Sequence, residues 1–294
     1  MSIFFIFILG LFFGSFLNVL ADRLPNSKSI LGRSSCEFCR KELSWIDLIP
    51  ILSFMTLKGR CRYCHKKLPL AYPLSELFTG VIFALTYLLV NLRIFLEIVD
   101  LKTLFMGDVF VVLTSLPITY YILVQHVFVL FIVSVMIVIF LADKRYGIIP
   151  DKVLAVGIIA TAIYLLYINY YLPFENGQWY MIFGQFSRII NHLVSGVGAF
   201  LFFLMIYVLT KAKGIGFGDV KFGFFMGLLL GFPDILLALY IAFLTGGVVA
   251  IILVLWKKKG MKSEVAFGPF LIIGTYVSFF LSALIMPQIM VFLS

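Results

Sequence analysis

Charge is scarce in this sequence. Asp, Glu, Lys and Arg together make up 13% of its 294 residues, where a soluble domain carries about 25%. Hydrophobic residues take their place, at 63% of the chain, and the mean hydropathy is +1.12. Those two departures exclude a water-soluble globule, a disordered chain and a collagen-like fibre, and they place the chain in a bilayer. No internal repeat and no low-complexity segment stands out. No glycine-rich fingerprint of the Rossmann kind is present. Cysteine is rare as well: there are four, all in one polar stretch.

A spanning helix needs about 20 mostly apolar residues. That ruler marks eight segments: Ser2–Leu20, Leu70–Asn91, Ile122–Ala142, Val153–Leu172, Ile189–Thr210, Val220–Phe232, Ile235–Trp256 and Phe267–Met286. The sixth is short, glycine-rich and stopped by Pro233. The apolar stretch Asp108–Gln125, with Pro117, reads either as an extension of the third helix or as a separate external segment. The fold class that follows is an all-α polytopic membrane protein of about eight transmembrane helices. It divides into a first helix (1–20), a polar loop (21–69) and a membrane-embedded helical bundle (70–294).

Of 23 Lys and Arg, 20 lie in four loops: Ala21–Pro69, Asp143–Lys152, Lys211–Lys221 and Lys257–Lys262. With eight spans these loops share one face, which the positive-inside rule makes the cytoplasmic one. Both termini then lie outside. The formal charge of +9 is therefore explained by topology, with lipid rather than nucleic acid as the partner. The first span has no basic segment before it and a basic one after it, the reverse of a cleaved signal peptide, so it reads as a retained helix.

The cysteines form two knuckles, Cys36-Glu-Phe-Cys39 and Cys61-Arg-Tyr-Cys64. Paired C-x-x-C turns are the ligand pattern of tetrahedral zinc, closed by four thiolates and therefore structural. Two disulfides are the alternative, disfavoured on a cytoplasmic loop. A metal would hold together about 50 polar residues that have too small a core to fold alone. His65 directly follows Cys64, and a solvated histidine explains it.

Asp143 lies at the cytoplasmic end of the third span, and Asp219 at the cytoplasmic start of the sixth, in Gly214-Ile215-Gly216-Phe217-Gly218-Asp219-Val220-Lys221. Both sit at one depth on one face. Two facing carboxylates in a partly dry site cannot both ionise cheaply, so the pair can act as general base and general acid on a water attacking a peptide bond. Gly216 and Gly218 would allow a sharp turn and close approach of a substrate strand. The competing reading is that Asp143, Asp151 and Asp219 are helix caps. Asp151 after Pro150 fits that well.

These residues resemble a known family. Gly216-Phe217-Gly218-Asp219 with Lys221 looks like the GxGD motif of membrane aspartic proteases. Asp143 with Ile149-Pro150-Asp151 is similar to the first-aspartate segment of bacterial prepilin peptidases (type IV leader peptidases). Gly14-Ser15-Phe16-Leu17-Asn18-Val19 with Arg23-Leu24-Pro25, the two knuckles, Tyr72-Pro73 with Glu76-Leu77, and Ala266-Phe267-Gly268-Pro269-Phe270 extend the resemblance over nearly the whole chain. Ala142 departs from the Ile usual before the first Asp, and the stretch from about 92 to 125 matches nothing.

The resemblance implies a multi-pass protein of the bacterial inner membrane. Its substrates would be prepilins or pseudopilins, whose leader is cleaved at the cytoplasmic face by Asp143 and Asp219, with Gly216, Gly218, Lys221 and Asp151 supporting the catalytic loop. It further implies N-methylation of the new terminus with S-adenosylmethionine, for which Glu76, a carboxylate at the cytoplasmic end of the second span, is the one candidate residue, with a satisfied polar anchor as its competing reading. Glu37, Glu42 and Asp47 of the loop are candidates to read the basic leader. Two alternatives compete: an intramembrane GxGD protease of presenilin type, and a transporter with a zinc loop. The transporter would place its carboxylates near mid-membrane and often show a repeat.

Overall fold

The computed structural model describes residues 2–30, 32–104, 116–171, 183–212, 214–256 and 266–293. The basic loop Lys257–Lys262 and the middle of the unmatched 92–125 stretch lie outside them. The described chain is helical, with no strand beyond two isolated bridges. Its helices are α1 (Ile3–Arg23), α2 (Leu52–Thr56), α3 (Ala71–Leu104), α4 (Leu116–Tyr146), α5 (Asp151–Tyr171), α6 (Phe183–Leu209), α7 (Phe217–Leu230), α8 (Asp234–Leu255) and α9 (Gly268–Leu293). Leaving out α2, these match in order the eight segments read from hydropathy. Among the described residues six are long and apolar enough to cross a membrane, and α7 is not one of them. The segment from Leu116 onwards is the beginning of α4 rather than a separate external element.

The chain forms two compact units, Met1–Leu141 and Ala142–Ser294, with the division inside α4. In the first, α1 and α3 pack closely because small residues face the partner. A Cβ on Gly10 would lie 2.8 Å from the Gly80 Cα, and one on Gly14 would lie 2.8 Å from the Glu76 Cα. Gly10-x-x-x-Gly14 is thus a small-residue seam of the kind that lets membrane helices touch backbone to backbone. A buried polar pair locks the register: the Ser75 hydroxyl donates to Asn18 Oδ1 at 2.8 Å, and Asn18 Nδ2 donates to the Gly14 carbonyl at 3.0 Å.

The second unit is built around α7. This helix is apolar nearly all round, and Val220, Phe222, Phe225 and Met226 are fully buried, the pattern of a helix enclosed by others. Its 14 residues span about 21 Å, short of the roughly 30 Å hydrocarbon layer. The helix ends at Gly231, in the left-handed region at φ 73°. Asn191 of α6 then serves the backbone beyond it: its Nδ2 donates to the Phe232 carbonyl and its Oδ1 accepts from the Phe232 N–H. That pairing satisfies polar backbone where a helix stops within membrane depth.

Candidate active site and cysteine centre

Asp143 sits in the last turn of α4. Gly147, at φ 65°, closes that helix, and its N–H donates to the Asp143 carbonyl at 2.8 Å; a glycine in the left-handed region is the common helix stop. Pro150 then starts α5 with Asp151 as its first residue. Asp219 occupies the first turn of α7, where its Oδ2 accepts the Gly216 N–H at 3.1 Å. One carboxylate therefore stands at a helix end rich in carbonyls, and the other at a helix start rich in N–H groups.

Both aspartates are buried, Asp143 at 6% and Asp219 at 7% exposure. They lie close enough for the charge of Asp143 to be felt at Asp219. Asp143 Oδ2 is buried without a well-formed hydrogen bond, and the Gly268 backbone N–H lies beside the carboxyl. A buried acceptor short of donors is costly, so this oxygen can take a proton or a substrate group.

Gly268 is a site residue to which sequence reasoning assigned no role, although its motif was visible. A Cβ there would fall 2.5 Å from Asp143 Oδ2 and 3.0 Å from its Cγ. The start of α9 therefore forms a wall against the carboxyl that only glycine permits. The two glycines of the GxGD turn have different surroundings. Gly216 is extended (φ −77°, ψ 152°) and a Cβ there would meet only ordinary contacts. Gly218 packs tightly: a Cβ would lie 3.2 Å from the Cβ of Ile149.

Lys221 and Asp151 form an ion pair at 2.7 Å, linking α7 to α5. Beside it runs an apolar cavity of about 580 Å³ between α5, α6 and α7, lined by Leu154, Ile158, Val197, Phe200 and Phe224.

In the first unit the cysteine loop holds a short repeat, which corrects the expectation of none. Cys36-x-Phe-Cys-Arg-Lys-x-Leu43 recurs 25 residues later as Cys61-x-Tyr-Cys-His-Lys-x-Leu68. The two copies fold alike. The Cys36 N–H donates to the Lys41 carbonyl, and the Cys61 N–H donates to that of Lys66, both at 3.0 Å. Arg40 and His65 take the same left-handed conformation, at φ 57° and 54°. Each lysine lies over the other copy's aromatic ring, Lys41 on Tyr63 and Lys66 on Phe38.

The four Sγ atoms all lie within 4.8 Å of one another, and Cys36 and Cys64 are 3.9 Å apart. Tetrahedral zinc with bonds of about 2.3 Å needs sulfurs about 3.8 Å apart, so the set fits the metal. No disulfide joins them. Burial opposes ionisation of the Cys61 thiol. Hydrogen bonds from the Cys64 and Tyr63 backbone and from the Cys36 and Cys64 thiols outweigh it and bring Cys61 down to about 7, while Cys64, despite a backbone hydrogen bond from Lys66, is pushed up to about 11 by burial and its thiol neighbours; the sulfurs share protons at close quarters.

Two other candidate sets are engaged elsewhere. Glu76 Oε2 accepts the Ile51 N–H at 2.9 Å, which ties the loop to α3. Asp47, with 3% of its side chain exposed, receives Arg62 at 2.7 Å. Burial works against the Asp47 carboxylate, yet hydrogen bonds from the Ser44 hydroxyl and N–H and from Arg62 hold it below the usual range. Asp47 is thus committed to the loop and not free to read a leader. Glu37 accepts the Tyr72 hydroxyl at 2.6 Å, and Glu42 keeps an exposed pair with Arg33.

Long apolar helices, two aspartates buried at helix ends and a four-cysteine loop between the first two spans define a polytopic membrane protein. Residues 8–90 match the bacterial peptidase A24 N-terminal domain and residues 130–251 match the type IV leader peptidase family. The chain belongs to that family, the bacterial prepilin peptidases, which are membrane proteases. It is 29% identical over 275 residues to a prepilin leader peptidase/N-methyltransferase of Bacillus subtilis, covering 93% of this chain and 92% of the relative. A protein of the same name from Aeromonas salmonicida is 23% identical over 93% of this chain and 88% of its own length. One from Myxococcus xanthus is 48% identical over 80 residues, covering 27% of this chain and 24% of the relative. No solved structure matches significantly.

Proposed function

We propose that this protein removes the leader peptide of type IV prepilins or pseudopilins at the cytoplasmic face of the inner membrane, with Asp143 and Asp219 as the catalytic pair. The observation that carries the reading is the burial of two carboxylates near each other, one of them with an oxygen that lacks a well-formed hydrogen bond. Like charges in a dry site share one proton. The ionised member takes a proton from an attacking water while the other gives its proton to the scissile carbonyl oxygen; as the diol collapses, the first passes the water's proton to the leaving amine and the second recovers a proton from the diol. The Gly268 wall and the Gly216 N–H hold the two carboxyls in register for that exchange. The apolar cavity between α5, α6 and α7 would accept side chains of the hydrophobic segment behind the leader, and basic loops on one face set the orientation.

Zinc held by Cys36, Cys39, Cys61 and Cys64 would act structurally, closing the loop. The relatives' names support N-methylation of the new terminus, with S-adenosylmethionine consumed as co-substrate. Glu76 is engaged with Ile51, and no step of that transfer is assigned to it. The test is to incubate purified protein with a prepilin peptide, with and without the methyl donor, and weigh the products. Cleavage by wild type and none by Asp143→Asn or Asp219→Asn supports the reading. Cleavage by both variants at the wild-type rate overturns it.

A further inference from the structure

The loop between α1 and α3 exposes several large apolar side chains in the stretch between its two cysteine knuckles. Trp45 is 75% exposed, Met55 67% and Leu52 60%, and Ile46 and Leu48 are exposed with them. All five come from one stretch, a 3-10 turn at Trp45–Leu48 followed by α2. Large apolar side chains exposed together in one short stretch of a polar, basic loop point to a partner.

Its position relative to the membrane helix beside it identifies that partner. The Ile51 N–H, midway along the stretch, donates to Glu76 Oε2. Glu76 lies five residues into the spanning part of α3, which begins at Ala71, so it is about 7.5 Å along the helix. The tether therefore draws Ile51 to the level of the second turn of a membrane helix. Ile51 is held there at φ 61°, an unfavourable conformation for a β-branched residue, which marks the geometry as imposed. Leu70 and Leu74, at the start of α3, are also exposed, so apolar side chains flank the tether on the membrane helix as well. Lys58 and Arg60, both exposed, follow directly after Met55. Tryptophan and aliphatic side chains on one side with basic residues beside them are the composition of a segment lying in the headgroup layer of an anionic bilayer.

We propose that residues 45–55 form an interfacial anchor that inserts Trp45, Leu52 and Met55 into the headgroup region of the surrounding bilayer. This clamps the cysteine centre flat against the membrane instead of leaving it free in the cytoplasm. The inference concerns the first unit alone and does not depend on the peptidase reading.

Two measurements on the full-length protein in nanodiscs containing phosphatidylglycerol test it. The first is hydroxyl-radical footprinting of the unmodified chain. Met55 and Trp45 should be oxidised several-fold more slowly than their exposure predicts, while Phe38 and Tyr63 on the knuckles react normally. The second uses a Trp179→Phe/Trp256→Phe background, which leaves Trp45 as the sole tryptophan. Lipids brominated near the top of the acyl chain should cut its emission at least about two-fold, as expected for an interfacial indole. Rapid oxidation with no bromine quenching overturns the proposal, because the patch is then in water. Slow oxidation with no quenching overturns it too, because the patch is then covered by protein. If the double variant does not fold, footprinting of the unmodified chain in phosphatidylglycerol and in brominated phosphatidylglycerol nanodiscs, read at Met55, still decides it: equal and rapid oxidation refutes insertion.

Discussion

Gly268→Ala separates the chemistry of the site from the stability of the bundle. The added Cβ would fall 2.5 Å from Asp143 Oδ2, about 0.9 Å short of an ordinary contact of 3.4 Å. Either α9 or the carboxyl must yield. The start of α9 is held by Phe267, whose ring packs with Phe203, Phe243 and Phe270 at centroid distances of 5.1 to 6.4 Å, so most of the displacement falls on Asp143. A misplacement approaching 1 Å in a catalytic group costs up to about 100-fold. A loss of about 10- to 100-fold in kcat, or about 1.4–2.7 kcal/mol of transition-state stabilisation, is expected. Alanine is the better helix former, so the melting temperature should hardly fall. The assay is prepilin cleavage followed by mass, beside thermal unfolding in detergent. Gly247→Ala, with nothing within 4 Å of its Cβ, is the control. Wild-type kcat in Gly268→Ala would refute the idea that the start of α9 positions Asp143. A loss matched by an equal fall in the control would refute it as well.

Asp143→Asn and Asp219→Asn should each abolish cleavage, and the double variant should be no worse than either, because the two share one task; single-turnover rates check this. Asp151→Asn should cleave almost normally, since Asn still caps α5 and the exposed pair with Lys221 contributes at most about 1 kcal/mol. Metal analysis should find one zinc per chain, and Cys61→Ser should lose it and expose the loop to limited proteolysis before the dyad is affected; a zinc-free wild-type protein prepared without chelator contradicts this. Asp47→Asn should destabilise the loop by about 1 kcal/mol at neutral pH. Because the folded carboxyl is held below its ordinary 3.8, its contribution is present above that value and fades as pH falls through the lower folded one. Unfolding curves of variant and wild type should therefore converge in acid.

Hydropathy by itself determined the membrane class, the order of the eight helices and the position of the cysteine loop between the first two, because burial in lipid acts on composition along the chain. The spacing of the cysteines named their chemistry before any coordinates, since a C-x-x-C turn is local. Even the knuckle repeat and the Gly10–Gly14 seam were legible, had the period of 25 and the four-residue spacing been sought. Other features depended on residues far apart in sequence. That Gly268 guards Asp143 follows from α9 reaching the end of α4, and that Gly218 serves Ile149 follows from α7 meeting the turn before α5. The sequence likewise left Glu76 and Asp47 looking like free carboxylates. Only the tertiary structure committed one to Ile51 and the other to Arg62, because a hydrogen bond between distant segments leaves no periodic trace in either of them.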